Sequence, residues 1–362
     1  MALSTIPTRA LSEQGINFRN LIINGDMSIA QRGTSKTGET GTGYKSLDRW
    51  RFQAGSGITS TFSQSTDVPS GQGFAYSFKQ EATTGDADLS TDQYNAVVQR
   101  IEGQMLQQLK KGTSNAESTT LSFWVKASVT GTYIVNITDD DNSRVIAKSY
   151  TINSANTWEK KTITFDGDTT GTLDNDNARS ITVSFWQGAG TDYTSGTLQT
   201  TWGSNVTANL AVGQVNAFAS NNNTWQITGV QWEVGTSASD FEFLPYDVNL
   251  QRCMRYYQVL INGDDQSFEN FTSYNGASIY CSHRFNVTEM RTAPTGITSN
   301  NTNDFAFYSE SNAHFAPTLT FSNTYEKGSW IYCTMTTSVT QGSALFGKGN
   351  ASTALCAFDA EL

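Results

Sequence analysis

At 362 residues the chain is long enough for two cores, and a charged fraction of only 15% leaves hydroxyls, amides and glycine to cover the surface of a sheet protein. A formal net charge of −10 gives no basic surplus to displace counterions from a phosphate backbone, which excludes a nucleic-acid partner. No apolar run reaches the roughly 18 residues of a membrane span, and the segment from Met1 to Arg9 lacks the basic and apolar regions of an export signal, so a soluble, non-exported chain is expected.

Residues 1–19 hold Pro7, two arginines and no periodicity, and read as an extended arm able to dock on a neighbour. From residue 20 to 247 the signals are strands. Tyr94–Glu102, Thr119–Ala127, Gly131–Thr138, Ile181–Gln187 and Thr224–Val234 alternate apolar and polar residues or are rich in aromatic and β-branched ones. Glycine and Asn/Asp clusters such as Gly55-Ser56-Gly57 and Asp139-Asp140-Asp141-Asn142 separate the strands. Burying so many half-apolar strands calls for two facing sheets, a jelly-roll β-sandwich. The runs Asn20-Leu21-Ile22-Ile23-Asn24-Gly25-Asp26 and Trp225 to Gly235 are expected to be its paired first and last strands. Met105, Leu106 and Leu109 share a helical face that Gly112 ends, which predicts one short plug helix.

Between residues 248 and 261 the period changes. Leu250, Cys253, Met254 and Tyr257 recur at helical spacing after Pro245, which predicts a linker helix. Residues 262–362 then carry short strand signals, including Ser278–Asn286, Trp330–Thr336 and Ala354–Asp359, and form a smaller C-terminal β-domain. The fold class is therefore all-β. Cys253, Cys281, Cys333 and Cys356 fit neither a metal spacing nor a disulfide scaffold and are expected to be buried free thiols.

Saccharide recognition needs a flat aromatic face beside hydrogen-bonding side chains. Adjacent aromatics such as Phe123-Trp124 and Phe185-Trp186 point to opposite sides of a strand, so an outward tryptophan must meet a ligand, a subunit or a covering loop. Trp158 and Trp202, in more polar surroundings, and Tyr193, in a Gly/Ser/Thr-rich loop, are the exposed ligand-binding candidates of the large domain. Tyr274, Tyr280, Tyr308, Trp330, His283 and His314 are those of the small one. The two histidines make no metal pattern with the carboxylates. Arg100 and Glu102 share a strand face and read as an ion-pairing couple.

Several ordered blocks resemble a family of bacteriophage tail-fibre and virion structural proteins. They are Asn20-Leu21-Ile22-Ile23-Asn24-Gly25-Asp26-Met27, Leu47-Asp48-Arg49-Trp50, Gln99-Arg100-Ile101-Glu102-Gly103, Leu121 to Ala127, Val230 to Gly235, Phe241 to Tyr246, Gln251 to Tyr257 and Arg291-Thr292-Ala293-Pro294-Thr295. The resemblance implies a carbohydrate-binding-module-like jelly roll in a homotrimer on the virion, assembled in the host cytoplasm. It further implies a tail-fibre component that attaches the particle to host polysaccharide or lipopolysaccharide, with residues 1–19 docking on another virion protein. Leu250, Cys253, Met254 and Tyr257 are the expected oligomer interface. In such sandwiches a structural calcium commonly sits where the termini meet. Asp26, Asp48 and Glu233 could supply oxygens for it, although ion pairs such as Asp48 with Arg49 or Arg51 and Glu233 with Arg32 account for the same residues. No catalytic residue or other cofactor is expected. Two alternatives stay open: a fibre connector or capsid decoration that binds no glycan, and a glycan hydrolase using Glu233 and Asp48.

Overall fold

The computed structural model describes residues 18–55, 57–284, 289–301, 303–309, 312–316 and 318–362, with the backbone alone at 268–269 and 282–284. The N-terminal arm up to residue 17 and the side chain of His283 lie outside the described residues. The chain is all-β, with two short α-helices among the described residues, and it divides into two units. One takes the described residues up to Ser28, then Lys36–Gly43 and Arg51–Leu244. The other takes Ile29–Ser35, Tyr44–Trp50 and Pro245–Leu362.

The first unit is a jelly-roll-like sandwich. Its strands are β1 (Ser35–Glu39), β2 (Gly43–Tyr44), β3 (Arg51–Ala54), β4 (Thr59–Ser65), β5 (Ser77–Thr84), β6 (Tyr94–Glu102), β7 (Thr119–Ala127), β8 (Gly131–Asp139), β9 (Arg144–Ile152), β10 (Glu159–Phe165), β11 (Arg179–Ala189), β12 (Gly203–Ser204) and β13 (Thr224–Val234). They form a six-stranded sheet, β1-β4-β5-β13-β7-β10, and a seven-stranded sheet, β12-β9-β8-β11-β6-β3-β2. Alternation places one face of each strand between the sheets, where rings from both interlock. Phe52 meets Phe62 at 4.9 Å, Phe123 meets Phe185 at 5.2 Å, and Phe185 meets Trp225 at 6.2 Å between ring centroids. Offset and edge-on ring pairs of this kind add about 0.5–1.5 kcal/mol each beyond their area burial.

The expected first strand is irregular backbone that nevertheless lies along β13. Leu21 N–H donates to the Trp232 carbonyl at 2.9 Å, Val230 N–H to that of Gly25 at 2.9 Å, and Trp232 N–H to Asn20 Oδ1 at 3.1 Å. The two stretches thus share one body. The pairing of β13 with β7 shifts register between Thr228 and Gln231, where Gly229 has φ +61°. Such a bulge requires glycine. In place of the plug helix there are two 3₁₀ turns, Gly103–Met105 and Gln107–Leu109, closed by Lys110 at φ 50°. Each turn is too short to continue as an α-helix.

The C-terminal segment of the second unit opens with helix α2 (Tyr246–Met254); α1 (Thr191–Thr194) is a single turn of the first unit. The expected linker helix stops early because Tyr257–Asn262 is a strand, β14. It is followed by β15 (Ser267–Ser273), β16 (Ser278–Arg284), β17 (Thr295–Thr298), β18 (Phe305–Ser309), β19 (Asn312–Ala316), β20 (Thr320–Tyr325), β21 (Gly328–Thr334), β22 (Ala344–Gly349) and β23 (Leu355–Asp359). A three-stranded sheet, β14-β23-β17, covers a seven-stranded one, β19-β18-β22-β15-β16-β21-β20, over a core that includes Phe271, Phe305, Phe307, Ile331 and Phe358. All four cysteines are buried and free.

Buried charge ties the early segments into this unit. Arg32 lies 3.3 Å from Glu361, 3.1 Å from Asp359 and 3.9 Å from Asp48, with its guanidinium 3.6 Å from the Tyr257 ring centre. Arg49 pairs with Glu361 and sits 3.4 Å over Tyr256. Removing one partner of such a desolvated pair leaves a buried uncompensated charge, at a cost of about 3–5 kcal/mol.

Candidate functional site

The outer face of the seven-stranded sheet in the second unit carries a row of rings. Directly opposed residues of antiparallel strands share a face, and the registers Thr272↔Tyr280, Tyr280↔Tyr332 and Ser282↔Trp330 bring Tyr280, Tyr332 and Trp330 to one side. Their strand neighbours Ile279, Cys281, Ile331 and Cys333 point into the core. Tyr280 and Tyr332 stack at 5.0 Å with their planes 16° apart, and Tyr274 meets Tyr280 edge-on at 5.4 Å. Tyr274 is 66% exposed and Trp330 46%. On the same side Tyr308 faces Phe346 across β18 and β22, and Lys348 Nζ lies 5.4 Å from the Tyr308 ring centre. The row therefore offers stacked aromatic faces bordered by phenol hydroxyls and, at Thr272, Thr320 and Ser322, by strand positions bearing aliphatic hydroxyls. That chemistry accommodates the apolar face and the hydroxyl edge of a sugar ring.

Four of the residues singled out from the sequence, Tyr274, Tyr280, Trp330 and Tyr308, stand on this face. Tyr332 and Phe346 went unremarked although strand alternation from Trp330 and Ala344 would have found them. His314 is buried instead, hydrogen-bonded to Ser309 Oγ at 3.1 Å and Thr337 Oγ1 at 2.8 Å.

In the first unit the three ring candidates are placed separately. Tyr193 packs on Tyr94 at 5.0 Å and on Trp186 at 5.5 Å. Trp186 points away from the sandwich core yet is 5% exposed, because the segment carrying Tyr193, Leu198, Leu210 and Ala211 covers it. Trp202 donates from Nε1 to the Asp166 carbonyl at 2.7 Å and lies 5.2 Å from the Nζ of buried Lys111, which is ion-paired with Asp139 and Asp168. Trp158, partly exposed, donates from Nε1 to Asp67 Oδ1 at 3.0 Å.

The three carboxylates considered for calcium have protein partners. Asp26 Oδ1 accepts from Ser28 Oγ at 3.0 Å. Glu233 accepts from Ser239 Oγ at 2.6 Å and Gln231 Nε2 at 2.9 Å, and lies 3.6 Å from Arg19. Asp48, in the second unit, accepts from the Gln31 N–H at 2.9 Å and pairs with Arg32; burial outweighs these and pushes its carboxyl up to about 6. Among the described residues no three His, Cys, Asp or Glu side chains are grouped to hold a metal ion. Of the expected interface residues, Cys253 and Tyr257 are buried within their own unit, whereas Leu250 and Met254 are partly exposed. Among the described residues no helix is long and apolar enough to cross a membrane.

No protein-family model matches this chain, and no curated protein does. Solved structures similar to it include the enzymatically active domain of tailspike protein 4 from bacteriophage CBA120, with 13% identity over 60% of this chain and 22% of that one and a TM-score of 0.32. A carbohydrate-binding module of family 4 aligns with 14% identity over 59% of this chain and 98% of its own, TM-score 0.31. The family 11 carbohydrate-binding module of a Clostridium thermocellum cellulosomal cellulase aligns with 14% identity over 55% and 99%, TM-score 0.29. The link to a phage tailspike and to these module folds is distant.

Proposed function

We propose that this chain is a virion component of a bacteriophage, a tail-fibre protein that holds the particle to host surface glycan without catalysis. The observation that carries the reading is the outward row Tyr274, Tyr280, Tyr332 and Trp330, of which Tyr274 and Trp330 are exposed and Tyr280 and Tyr332 partly exposed. The sequence blocks around Asn20-Leu21-Ile22-Ile23-Asn24-Gly25-Asp26 and Gln251-Arg252-Cys253-Met254 support the virion assignment. Individual ring contacts are weak, and a homotrimer linked to other virion proteins through residues 1–19 raises attachment through avidity. Leu250 and Met254 are the apolar positions that α2 leaves for such an interface.

The test is adsorption of the full chain to host cells and to a glycan array. Trp330→Ala and Tyr280→Ala are each expected to weaken binding roughly tenfold, on the scale of a lost aromatic contact. Undiminished adsorption by both variants, with circular dichroism unchanged, would overturn the assignment of this face. Tight binding to virion proteins alone would favour the connector role.

A further inference from the structure

We propose that the outer face of the six-stranded sheet of the first unit is a second saccharide site, for a sugar charged through a carboxylate. It rests on different residues from the tyrosine row and can fail independently of it.

In β7, Leu121, Phe123 and Val125 are buried between the sheets, so Trp124 and Lys126 point outward, and both are partly exposed. The register Lys160↔Trp124 sets an exposed lysine directly across from the Trp124 indole. Trp158 lies one residue before β10, and its indole shares the Asp67 carboxylate with Lys126. On the far side of β7, Gln226 faces Lys126 and Thr228 faces Trp124. Trp124 thus stands in β7 across from Lys160, and Trp158 two residues before Lys160 in the chain.

Asp67 fixes the far end. Its carboxylate accepts from Trp158 Nε1 at 3.0 Å, from Lys126 Nζ at 2.6 Å and from Gln226 Nε2 at 3.3 Å. Burial raises its pKa, but these three donors more than compensate and hold the carboxyl below the usual range. The loop that carries Trp158 is pinned in turn by Glu159, which accepts from the N–H groups of Asn153 and Ser154 at 2.8 and 2.9 Å and from Lys161 Nζ at 2.6 Å. The Trp158 indole is therefore held in place before any ligand arrives.

Charge decides the ligand class. Lys126 is neutralised by Asp67, Lys79 by Glu81 at 2.6 Å and Lys161 by Glu159, whereas Lys160 has no carboxylate partner among the described residues. On a chain of net charge −10, an unneutralised ammonium beside two indoles and the exposed hydroxyl of Thr162 fits a ring bearing both hydroxyls and a carboxylate. A neutral sugar could accept hydrogen bonds from that ammonium but would gain no charge pairing with it.

The experiment is titration of the full chain with an oligogalacturonide and with the matching neutral oligogalactoside. Tighter binding of the acidic probe is expected, weakened by salt as for any exposed charge pair. Lys160→Glu, an exposed substitution that spares the fold, should lower acidic-probe affinity by about fivefold, the scale of one surface ion pair. Trp124→Ala should weaken it further, and Trp330→Ala should leave it unchanged. Equal affinity for the two probes, or insensitivity to Lys160→Glu, overturns the proposal. Loss of acidic-probe binding in Trp330→Ala alone would also overturn it, and would place the ligand on the tyrosine row.

Discussion

A methyl group on residue 25 would lie 2.1 Å from the carbonyl oxygen of Val230, which is why Asn-Gly-Asp occurs where the chain first meets β13. The obstruction is backbone and cannot swing away. Gly25→Ala should therefore destabilise the first unit by about 3 kcal/mol, read as a lower urea midpoint; a loss under about 1 kcal/mol would mean that the Val230 segment yields. At this scale much of the sequence was legible. Free buried cysteines and the alternation around Phe123-Trp124 both follow from residue type and spacing. Ion-pair partners were not legible: Arg32 belongs to Asp48, Asp359 and Glu361, and Glu233 to Arg19, because partners distant in sequence leave no mark on local pattern.

At the scale of elements, the bounds of β6, β7 and β13 follow from alternation alone. β9 and β14 did not stand out. Lys148 and Ser149 interrupt the apolar run of β9, and β14 continues a helical spacing by coincidence through Tyr257 until pairing with β23 wins. The loop before β10 has a pH dependence of its own. Burial pushes the Glu159 carboxyl up, but Lys161 and the donors of Ser154 and Asn153 outweigh it and bring it down to about 2. A carboxylate with a depressed folded-state pKa contributes stability above its unfolded value, near 4.3, that is lost as pH falls toward about 2. Carboxyl NMR should place the Glu159 midpoint well below 4, and Glu159→Gln should remove that acid-dependent step; a midpoint near 4.3 would show that the loop is not held as described.

For the whole molecule, two domains were expected to meet near residue 248, and the units instead exchange short segments of chain. Ile29–Ser35 and Tyr44–Trp50 carry Arg32, Asp48 and Arg49 into the C-terminal unit. A fragment of residues 262–362 retains Glu361, which is 4% exposed, but loses both arginines and most of β14. Without β14 beside β23 and without buried Tyr256 and Tyr257, that fragment should fail to fold, giving a collapsed amide NMR spectrum and no cooperative melt. A well-dispersed spectrum would show that the early segments are dispensable.

That interleaving constrains descent as well as folding. Under the attachment role proposed above, host range would change most easily if the C-terminal unit could be swapped by a single recombination crossover. Here a new C-terminal unit inherits Arg32 and Arg49 from the recipient's N-terminal third, so it must arrive already carrying acids that suit them. Successful hybrids should then come from donors that share the Leu47-Asp48-Arg49-Trp50 stretch, and variation should accumulate by point substitution among the outward rings.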